Sequence, residues 1–536
     1  MSQSNAEVIA RTLASAGIKH VFGQPGGEVV ELIEAFAQSG IEFVLMGHES
    51  AAVLAAGTIG LATGIPGVCL TTLGPGACNL TLGIGEAYLE RHPLLALSAR
   101  TPDEADWTNH QRLPLNQMFA PITKASLKLS LVGSDLQLQS ALNLARSAPY
   151  GPVFVTLSGS DAGKAHINKA SPHLEAEPNL PEQDDTQLVK LIHELNQSKK
   201  PLVVVGMALD QLHDQAAIRQ FLQETGIPYM ESPKAKGLVD PDGAKYLGTF
   251  VSASGDKVLN QVLDNTDFVL GIGYDPVETT YRWHLKDNYF SLAGWSTAFG
   301  SFEAQNEVVG HIPELLIKVA QQYDGQVAWQ ANELQQLKTA VKAAITPVVD
   351  RSASGLAPLK VGQILRETLP ADTQMVVDTG QHKMLMSQVW TTNEALSFFC
   401  SNGLSSMGVG LPGAIALALQ DRTKPIAAVM GDGCFNSMVQ ELETVSRLGI
   451  APLLVIFCDQ ALSLIKIPQQ MRAYPSRGVM MTAVDWEMVA QGYGVEGLWI
   501  RDFEGLETAV NDWVQNRRAL VLAVQIDDEL YEGNSY

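Results

Sequence analysis

At 536 residues the chain has room for about three domains of ordinary size, and 46% hydrophobic with 17% charged residues describe a globular protein with a large core. Thirty-six basic against 57 acidic residues leave a net charge of −21, which repels phosphate backbones and anionic headgroups, so neither nucleic acid nor a membrane surface is an expected partner. The five cysteines, Cys69, Cys78, Cys400, Cys434 and Cys458, are odd in number and lack CxxC spacing, which reads as reduced core thiols rather than disulfides or zinc ligands.

The polar start of the chain shows no signal-peptide pattern and no apolar run reaches the length of a membrane span, so a cytoplasmic enzyme is expected. In chain order, a helical pattern from Ala6 to Ala16 stops at Gly17, a strand runs from His20 to Phe22, and Gly23-Gln24-Pro25-Gly26-Gly27 makes a turn. A helix around Glu28 to Ala37, a strand Phe43 to Leu45, a small-residue helix Ser50 to Thr63 and a strand Val68 to Thr72 follow, the last ending in Gly74-Pro75-Gly76. Asn79 to Tyr88 reads as the next helix, Leu94 to Ser98 as the next strand, and Val153 to Leu157 as the strand closing this first sheet. Residues 170 to 185 are proline-rich and acidic, as a surface linker would be. Alternation resumes with Pro201 to Val205 and runs on to Phe268 and beyond; a second linker, Arg351 to Pro358, leads to a strand Met375 to Val377 and then Asp378-Thr379-Gly380. The prediction is an α/β chain of three doubly wound parallel-sheet domains, residues 1–169, 186–340 and 356–536. The first and third share a plan, without a repeat that aligns.

Gly431-Asp432-Gly433 follows the apolar run Pro425 to Met430 and precedes an amphipathic segment Phe435 to Arg447, a strand, tight turn and helix. Alone, such a tripeptide is only a turn. About 25 residues on, however, the apolar run Leu453 to Phe457 ends at Asp459, so two carboxylates close two successive strands. Such ends lie side by side at the carboxyl edge of a parallel sheet, where Asp432 and Asp459 could share one hard cation with a diphosphate. A small anionic ligand is compatible with the net charge because a metal and helix N-termini invert the local potential. Gly408-Val-Gly410-Leu-Pro-Gly413 competes as a dinucleotide fingerprint, but Ser401 to Met407 before it is a polar loop and Pro412 sits inside it.

As a whole the chain resembles thiamine diphosphate (ThDP) enzymes of the acetolactate synthase-like group of 2-oxo acid decarboxylases and carboligases. The resemblance rests on GDG with its spaced Cys458-Asp459, on Val21 to Gly27, on His48-Glu49-Ser50-Ala51-Ala52, on Gly74-Pro75-Gly76-Ala-Cys-Asn79 and on Gly403-Leu-Ser405-Ser406-Met407-Gly408. It implies pyrimidine-binding, central and diphosphate-binding domains. It further implies Mg²⁺ held by Asp432, Asp459 and the Ala461 carbonyl; aspartate here replaces the family's second asparagine and keeps an oxygen ligand. By the same match Glu49 hydrogen-bonds N1′ of the aminopyrimidine and shifts it toward the imino tautomer, whose 4′-nitrogen takes the thiazolium C2 proton. On its own Glu49 would read as an acid favouring a helix first turn. Met407 is the wedge beneath the bent cofactor, and the Ser405 carbonyl accepts from the 4′-nitrogen. The cofactor contacts implied are Gly26, Gly76, Asn79, Asp378, Gly380, Gln381, His382, Ser405, Met407, Gly431, Asp432, Gly433, Cys434, Asp459, Ala461 and Leu462. Some relatives carry a structural flavin or nucleotide in the central domain; nothing around Phe268 to Glu278 and Trp283 requires one, and Asp275 and Glu278 read as structural.

Substrate selection matches least well. His110-Gln111 stands where the group has an aromatic followed by glutamine, which makes Gln111 the candidate for holding a substrate carboxylate or carbonyl; Gln24, His110, His382, Leu464 and Ile465 are further pocket candidates. Pro468 replaces the tryptophan of biosynthetic enzymes that select 2-ketobutyrate, and the paired histidines of pyruvate decarboxylases are not evident. Gln469 to Met481 reads as a loop that closes over the site. The expectation is decarboxylation of a short 2-oxo acid such as pyruvate and transfer of its acyl anion equivalent to a second carbonyl compound, in a homodimer or homotetramer whose sites lie between subunits. A ThDP-dependent decarboxylase or carbon–carbon lyase on another substrate, a non-catalytic regulatory relative, and an NAD-dependent oxidoreductase are the alternatives.

Overall fold

The apolar runs become strands of three six-stranded sheets, and every strand pairing within them is parallel. The computed structural model describes residues 3–102, 104–105, 110–169, 185–251, 255–278, 287–297, 306–346, 349–350 and 352–531. Trp283, Arg351 and nearly all of the expected linker at 170–185 lie outside them. The first sheet holds β1 (His20–Gly23), β2 (Glu42–Leu45), β3 (Gly67–Thr71), β4 (Leu94–Arg100), β5 (Ala125–Lys128) and β6 (Pro152–Ser158), in the order β2-β1-β3-β4-β6-β5. The second holds β7 (Pro201–Val205), β8 (Tyr229–Glu231), β9 (Tyr246–Thr249), β10 (Phe268–Ile272), β11 (Tyr289–Ala293) and β12 (Glu307–Val309), ordered β12-β11-β10-β7-β8-β9. The third holds β13 (Gln374–Val377), β14 (Phe398–Cys400), β15 (Ile426–Gly431), β16 (Leu453–Cys458), β17 (Glu496–Ile500) and β18 (Leu520–Gln525), ordered β14-β13-β15-β16-β18-β17. The first and third sheets therefore repeat one strand order, the plan expected for them. Strands such as β3, β6, β7 and β16 are buried on both faces, which is why they read as unbroken apolar runs rather than alternating ones.

Several local expectations are corrected. Pro152–Ser158 is the last strand of its sheet in chain order, as expected, but the spatial edge is Ala125–Lys128, a partly exposed strand too short to read. The GPG stretch is not a free turn, because Pro75 opens a helix, Pro75–Asn79, followed by a second one, Thr81–Leu89. Proline at a first helical position loses no bond, which makes it a start signal. The GDG stretch likewise holds no turn: Gly431 ends β15 and Asp432 begins the helix Asp432–Met438. The amphipathic run after it breaks into that helix and a second, Glu441–Leu448. Gln469 to Met481 starts inside the helix Ser463–Met471 rather than as loop.

By its internal contacts the chain divides into two compact units, one of Met1–Pro178 with Gly403–Arg422 and Met438–Ile450, the other of Asn179–Asn402, Thr423–Ser437 and Ala451–Tyr536. In the first, the helix Glu49–Thr63 lies against β3 backbone to backbone, since a Cβ on Gly67 would stand 1.7 Å from the Ala56 carbonyl oxygen. The apolar helix Gly410–Gln420, buried along nearly its whole length, packs on Glu49–Thr63, which explains why a stretch of the expected third domain groups with the first. Among the described residues no helix is long and apolar enough to cross a membrane.

In the second sheet the strand order reverses between β7 and β10, the crevice where open α/β sheets take dinucleotides. Glu278 fills it. Its Oε1 accepts the backbone N–H groups of Met207 and Asp275, each at 3.0 Å, and its Oε2 accepts the Ser232 hydroxyl. A Cβ on Gly206 would lie 2.4 Å from that carboxylate. Burial pushes the Glu278 carboxyl up to about 7. Replacing it with alanine strands two buried N–H groups, at roughly 1–3 kcal/mol each. The melting temperature of Glu278→Ala is therefore expected several degrees below wild type by calorimetry, while Glu278→Gln, which retains an acceptor oxygen, stays closer to it.

Candidate active site

Three neighbouring strands of the third sheet, β13, β15 and β16, carry one group of the candidate residues. Gly431 pairs with Phe457 in the parallel register, so Asp432 and Asp459 leave adjacent strand ends together. Asp432 Oδ1 accepts Gly433 N at 2.8 Å and its Oδ2 accepts Gln460 N at 2.8 Å. Asp459 Oδ1 accepts Ala461 N at 3.1 Å, and its Oδ2 accepts the Ser463 hydroxyl at 2.6 Å. Gln460 takes a left-handed φ of 57° to turn the chain between them. Leu462 donates its N–H to Val479 at 2.8 Å and Met481 to Gln460 at 2.7 Å, so the far end of the expected closing loop is stitched to the segment that bears Ala461.

Behind the GDG glycines sits His382. A Cβ on Gly380 would be 2.4 Å from its Cε1 and one on Gly431 3.1 Å, so the imidazole spans the ends of β13 and β15. Burial, with Lys383 nearby, pushes its pKa down to about 3, so it is neutral. Its Nε2 and the Thr379 hydroxyl are buried without a hydrogen-bond partner among the described residues. Asp378 is fully buried and accepts Thr379 N at 2.7 Å, and the Cys434 thiol donates to the Thr379 carbonyl at 2.9 Å. Gln381 is buried beside them. A Cβ on Gly433 would meet Leu462 at 2.9 Å.

A second group of candidate residues belongs to the first sheet. Glu49 is the first residue of the helix Glu49–Thr63 and only 6% exposed. The cap is His48, whose Nδ1 accepts Ser50 N at 3.1 Å; the Glu49 carboxylate instead accepts the Asn79 amide at 2.9 Å through Oε2, so capping does not account for it. Asn79 is held in turn by the Ser50 hydroxyl on its carbonyl at 2.6 Å. Gly76 lies beneath, with room for no Cβ: one would stand 2.3 Å from Thr71 Oγ1 and 3.1 Å from Glu49 Oε1. Gly26 is pressed on Thr72 in the same way, at 2.4 Å. Gln24 donates to the Met46 and Gly47 carbonyls at 3.1 and 2.7 Å, and Glu441 Oε2 accepts Gly47 N at 3.0 Å, so the approach to Glu49 is tied from both sides.

Gln111, at φ 54°, stacks its side chain on Gly74, whose Cβ position lies 2.8 Å from its own. It lines a cavity of about 450 Å³ together with Arg100, Arg112, Asn116 and Lys128. His110 is exposed. Ser405 and Met407 lie in the turn before Gly410–Gln420, with Met407 42% exposed rather than in the core. Gly408 to Gly413 runs from this turn into that helix, well past the end of β14.

The structure thus gathers Gln24, Gly26, Glu49, Gly76, Asn79, Gln111, Ser405 and Met407 in one compact unit, and Asp378, His382, Asp432, Asp459, Ala461 and Leu462 in the other. Leu464 packs on Val251 and Met384, while Ile465 is half exposed. Ser463 and Glu441 were not foreseen. The only trace of Ser463 is its place four residues after Asp459, and Glu441 reads as an ordinary first-turn acid. The pair Asp432 and Asp459, with donors of oxygen alone and a proton shared only at a cost, fits a hard divalent cation. The unpartnered Thr379 hydroxyl and His382 Nε2 fit a polar ligand lying over the strand ends.

Three family models match the chain: "Thiamine pyrophosphate enzyme, N-terminal TPP binding domain" over residues 3–118, "Thiamine pyrophosphate enzyme, central domain" over 188–292, and "Thiamine pyrophosphate enzyme, C-terminal TPP binding domain" over 378–524. The acetolactate synthase of Bacillus subtilis (strain 168) is 27% identical over 543 residues, covering 97% of this chain and 93% of that protein. The catabolic acetolactate synthase of Raoultella terrigena is 26% identical over 546 residues, covering 97% and 95%. The large subunit of acetolactate synthase isozyme 2 of Escherichia coli (strain K12) is 27% identical over 537 residues, covering 98% and 96%.

Burial pushes Asp432 up to about 6, and burial with the Asp432 charge pushes Asp459 up to about 7. A carboxyl that holds its proton more tightly folded than unfolded loses stability as pH rises from its unfolded value, near 4, to its folded one. In chelator-treated protein, Asp459→Asn should therefore raise the melting temperature more at pH 8 than at pH 5, by about 2 °C or more. Equal gains at both pH values would show that the two carboxylates do not repel one another.

Proposed function

Because the chain belongs to the thiamine pyrophosphate enzymes, we propose that it is an acetolactate synthase-like carboligase that decarboxylates a short 2-oxo acid of the pyruvate kind and joins the acyl anion equivalent to a second carbonyl compound. The observation that carries this reading is the pairing of two distinct carboxylate devices: Asp432 with Asp459 at neighbouring strand ends, and Glu49 buried against Asn79. The names of the full-length relatives support the acetolactate assignment.

Bound here, ThDP supplies a thiazolium that stabilises the carbanion left when a 2-oxo acid loses CO₂. Asp432, Asp459 and the Ala461 carbonyl would hold Mg²⁺, which would neutralise the diphosphate, and the unpartnered Thr379 hydroxyl would offer that group a donor. Asn79 occupies Glu49 Oε2 and leaves Oε1 to hold a proton at the pyrimidine N1′. Ser405 and Met407 position the pyrimidine, and Gln111, in a cavity shared with Arg100 and Lys128, orients the substrate's carboxylate or carbonyl. With His382 neutral and two carboxylates at the strand ends, the metal would supply positive charge for the diphosphate. Glu49 and Asp432 act on one cofactor when two copies of the chain associate, so the working form is a homodimer or a homotetramer, in the cytoplasm.

Glu49→Gln is expected to lower turnover by about 10²- to 10⁴-fold, the scale of a lost general acid/base partner, and wild-type turnover would remove Glu49 from the mechanism. Incubated with ThDP, Mg²⁺ and pyruvate alone, the enzyme should yield acetolactate by mass spectrometry; aldehydes or mixed acyloins would point to a decarboxylase or a lyase instead. Chelation should abolish turnover and added Mg²⁺ restore it.

A further inference from the structure

Glu90 is the C-cap of the helix Thr81–Leu89 and is fully buried. A carboxylate there faces the negative end of the helix dipole out of reach of water, an arrangement that works against folding unless a specific partner offsets it. One partner is distant in sequence: Glu90 Oε1 accepts the backbone N–H of Gly403.

Gly403 opens the turn that joins β14 to the helix Gly410–Gln420 and carries Ser405 and Met407. This turn holds two left-handed residues, Ser405 at φ 53° and Gly408 at 94°, and the former is strained because serine has a Cβ. Leu404 and Met407 are 37% and 42% exposed, and the Leu404 side chain reaches the Gly85 position at 3.7 Å. The far end of the turn is fixed by the packing of Gly410–Gln420 on Glu49–Thr63. Near its start, Glu90 holds Gly403, and Lys383 Nζ donates to the Ser401 carbonyl at 2.6 Å.

We propose that Glu90 is a positioning residue that holds the 403–408 turn in its strained form, so that the Ser405 carbonyl and the Met407 side chain are already placed for the aminopyrimidine before the cofactor arrives. The proposal rests on the ThDP reading of the site. Glu90 touches neither cofactor nor substrate and acts through Gly403. A mirrored contact supports the logic: Glu441 holds Gly47 N, two residues before Glu49.

Hydrogen exchange of the 403–409 backbone in the cofactor-free protein reads the anchor by itself. Glu90→Ala should exchange there about tenfold faster or more, with the core of the first sheet unchanged. In the holoenzyme with Mg²⁺, ThDP affinity by calorimetry should change by less than about threefold, because the diphosphate is held elsewhere. The C2 proton exchange of bound ThDP, followed by NMR, should slow by about 10- to 100-fold, the scale of a misplaced proton-transfer geometry. Glu90→Gln keeps an acceptor oxygen and should restore both readouts. If Glu90→Ala fails to fold, Glu90→Asp, which withdraws the carboxylate by one carbon, should show the same changes in smaller measure. Wild-type exchange at both the turn and C2 in a folded Glu90→Ala or Glu90→Asp overturns the proposal. Failure of the wild-type protein to bind ThDP overturns the cofactor reading instead, and leaves the turn measurement to judge the anchor.

Discussion

Two like charges held at adjacent strand ends are the constraint on which the site depends. The parallel register sets Gly431 beside Phe457, and the residues that follow cannot avoid bringing Asp432 and Asp459 together. Each carboxylate is tied by two hydrogen bonds, so neither can swing away. Left alone they keep protons that free aspartates would lose, and a cation is the natural substitute. The neighbouring sulfurs do not compete for it. Burial and the two aspartates push the Cys458 thiol well above its ordinary range, and Cys434 spends its proton on the Thr379 carbonyl. The donors that remain are oxygens, which select a small hard ion over a soft one.

Glu49 poses the opposite problem, a single carboxylate that must be buried and still aimed. Its helix reaches the sheet through Gly67, and no larger residue would let the backbones approach. Its cap is made by His48, which frees the carboxylate from the helix end, and Asn79 then fixes one oxygen. Rigid elements supply each of these contacts, as precise placement of a reacting group requires.

Much of this was legible from residue order. Unbroken apolar runs ending in glycine or aspartate marked β3, β15 and β16, and the spacing of Asp432 and Asp459 anticipated that they leave adjacent strand ends. Glycine at positions 26 and 76 has a packing reason that residue order did not reveal: Thr72 and Thr71 stand where a Cβ would be. What escaped was of two kinds. Short elements, such as the edge strand Ala125–Lys128 or the helix that begins directly at Asp432, give too few residues for a period to register. Contacts between distant segments, such as Ser463 on Asp459, Glu441 on Gly47 or Glu278 in its crevice, leave no local pattern, because each involves a residue type that a surface helix or turn would carry anyway.

The strand order shared by the first and third sheets gives the two anchoring glutamates a common address. Glu90 lies in the connection between the third and fourth strands of one sheet, and Glu441 in the same connection of the other. Gly47 and Gly403 each follow the second strand. Glu90 grips Gly403 while Glu441 grips Gly47, so each half of the chain reaches into the equivalent place in the other. A reciprocal exchange of this kind, in which i meets j and j meets i, is the mark of an isologous dimer. Within this chain the same pattern joins equivalent connections, Glu90 to Gly403 and Glu441 to Gly47. The correspondence is one of placement and not of sequence: the segment after the second strand carries Glu49 on one side and Ser405 with Met407 on the other.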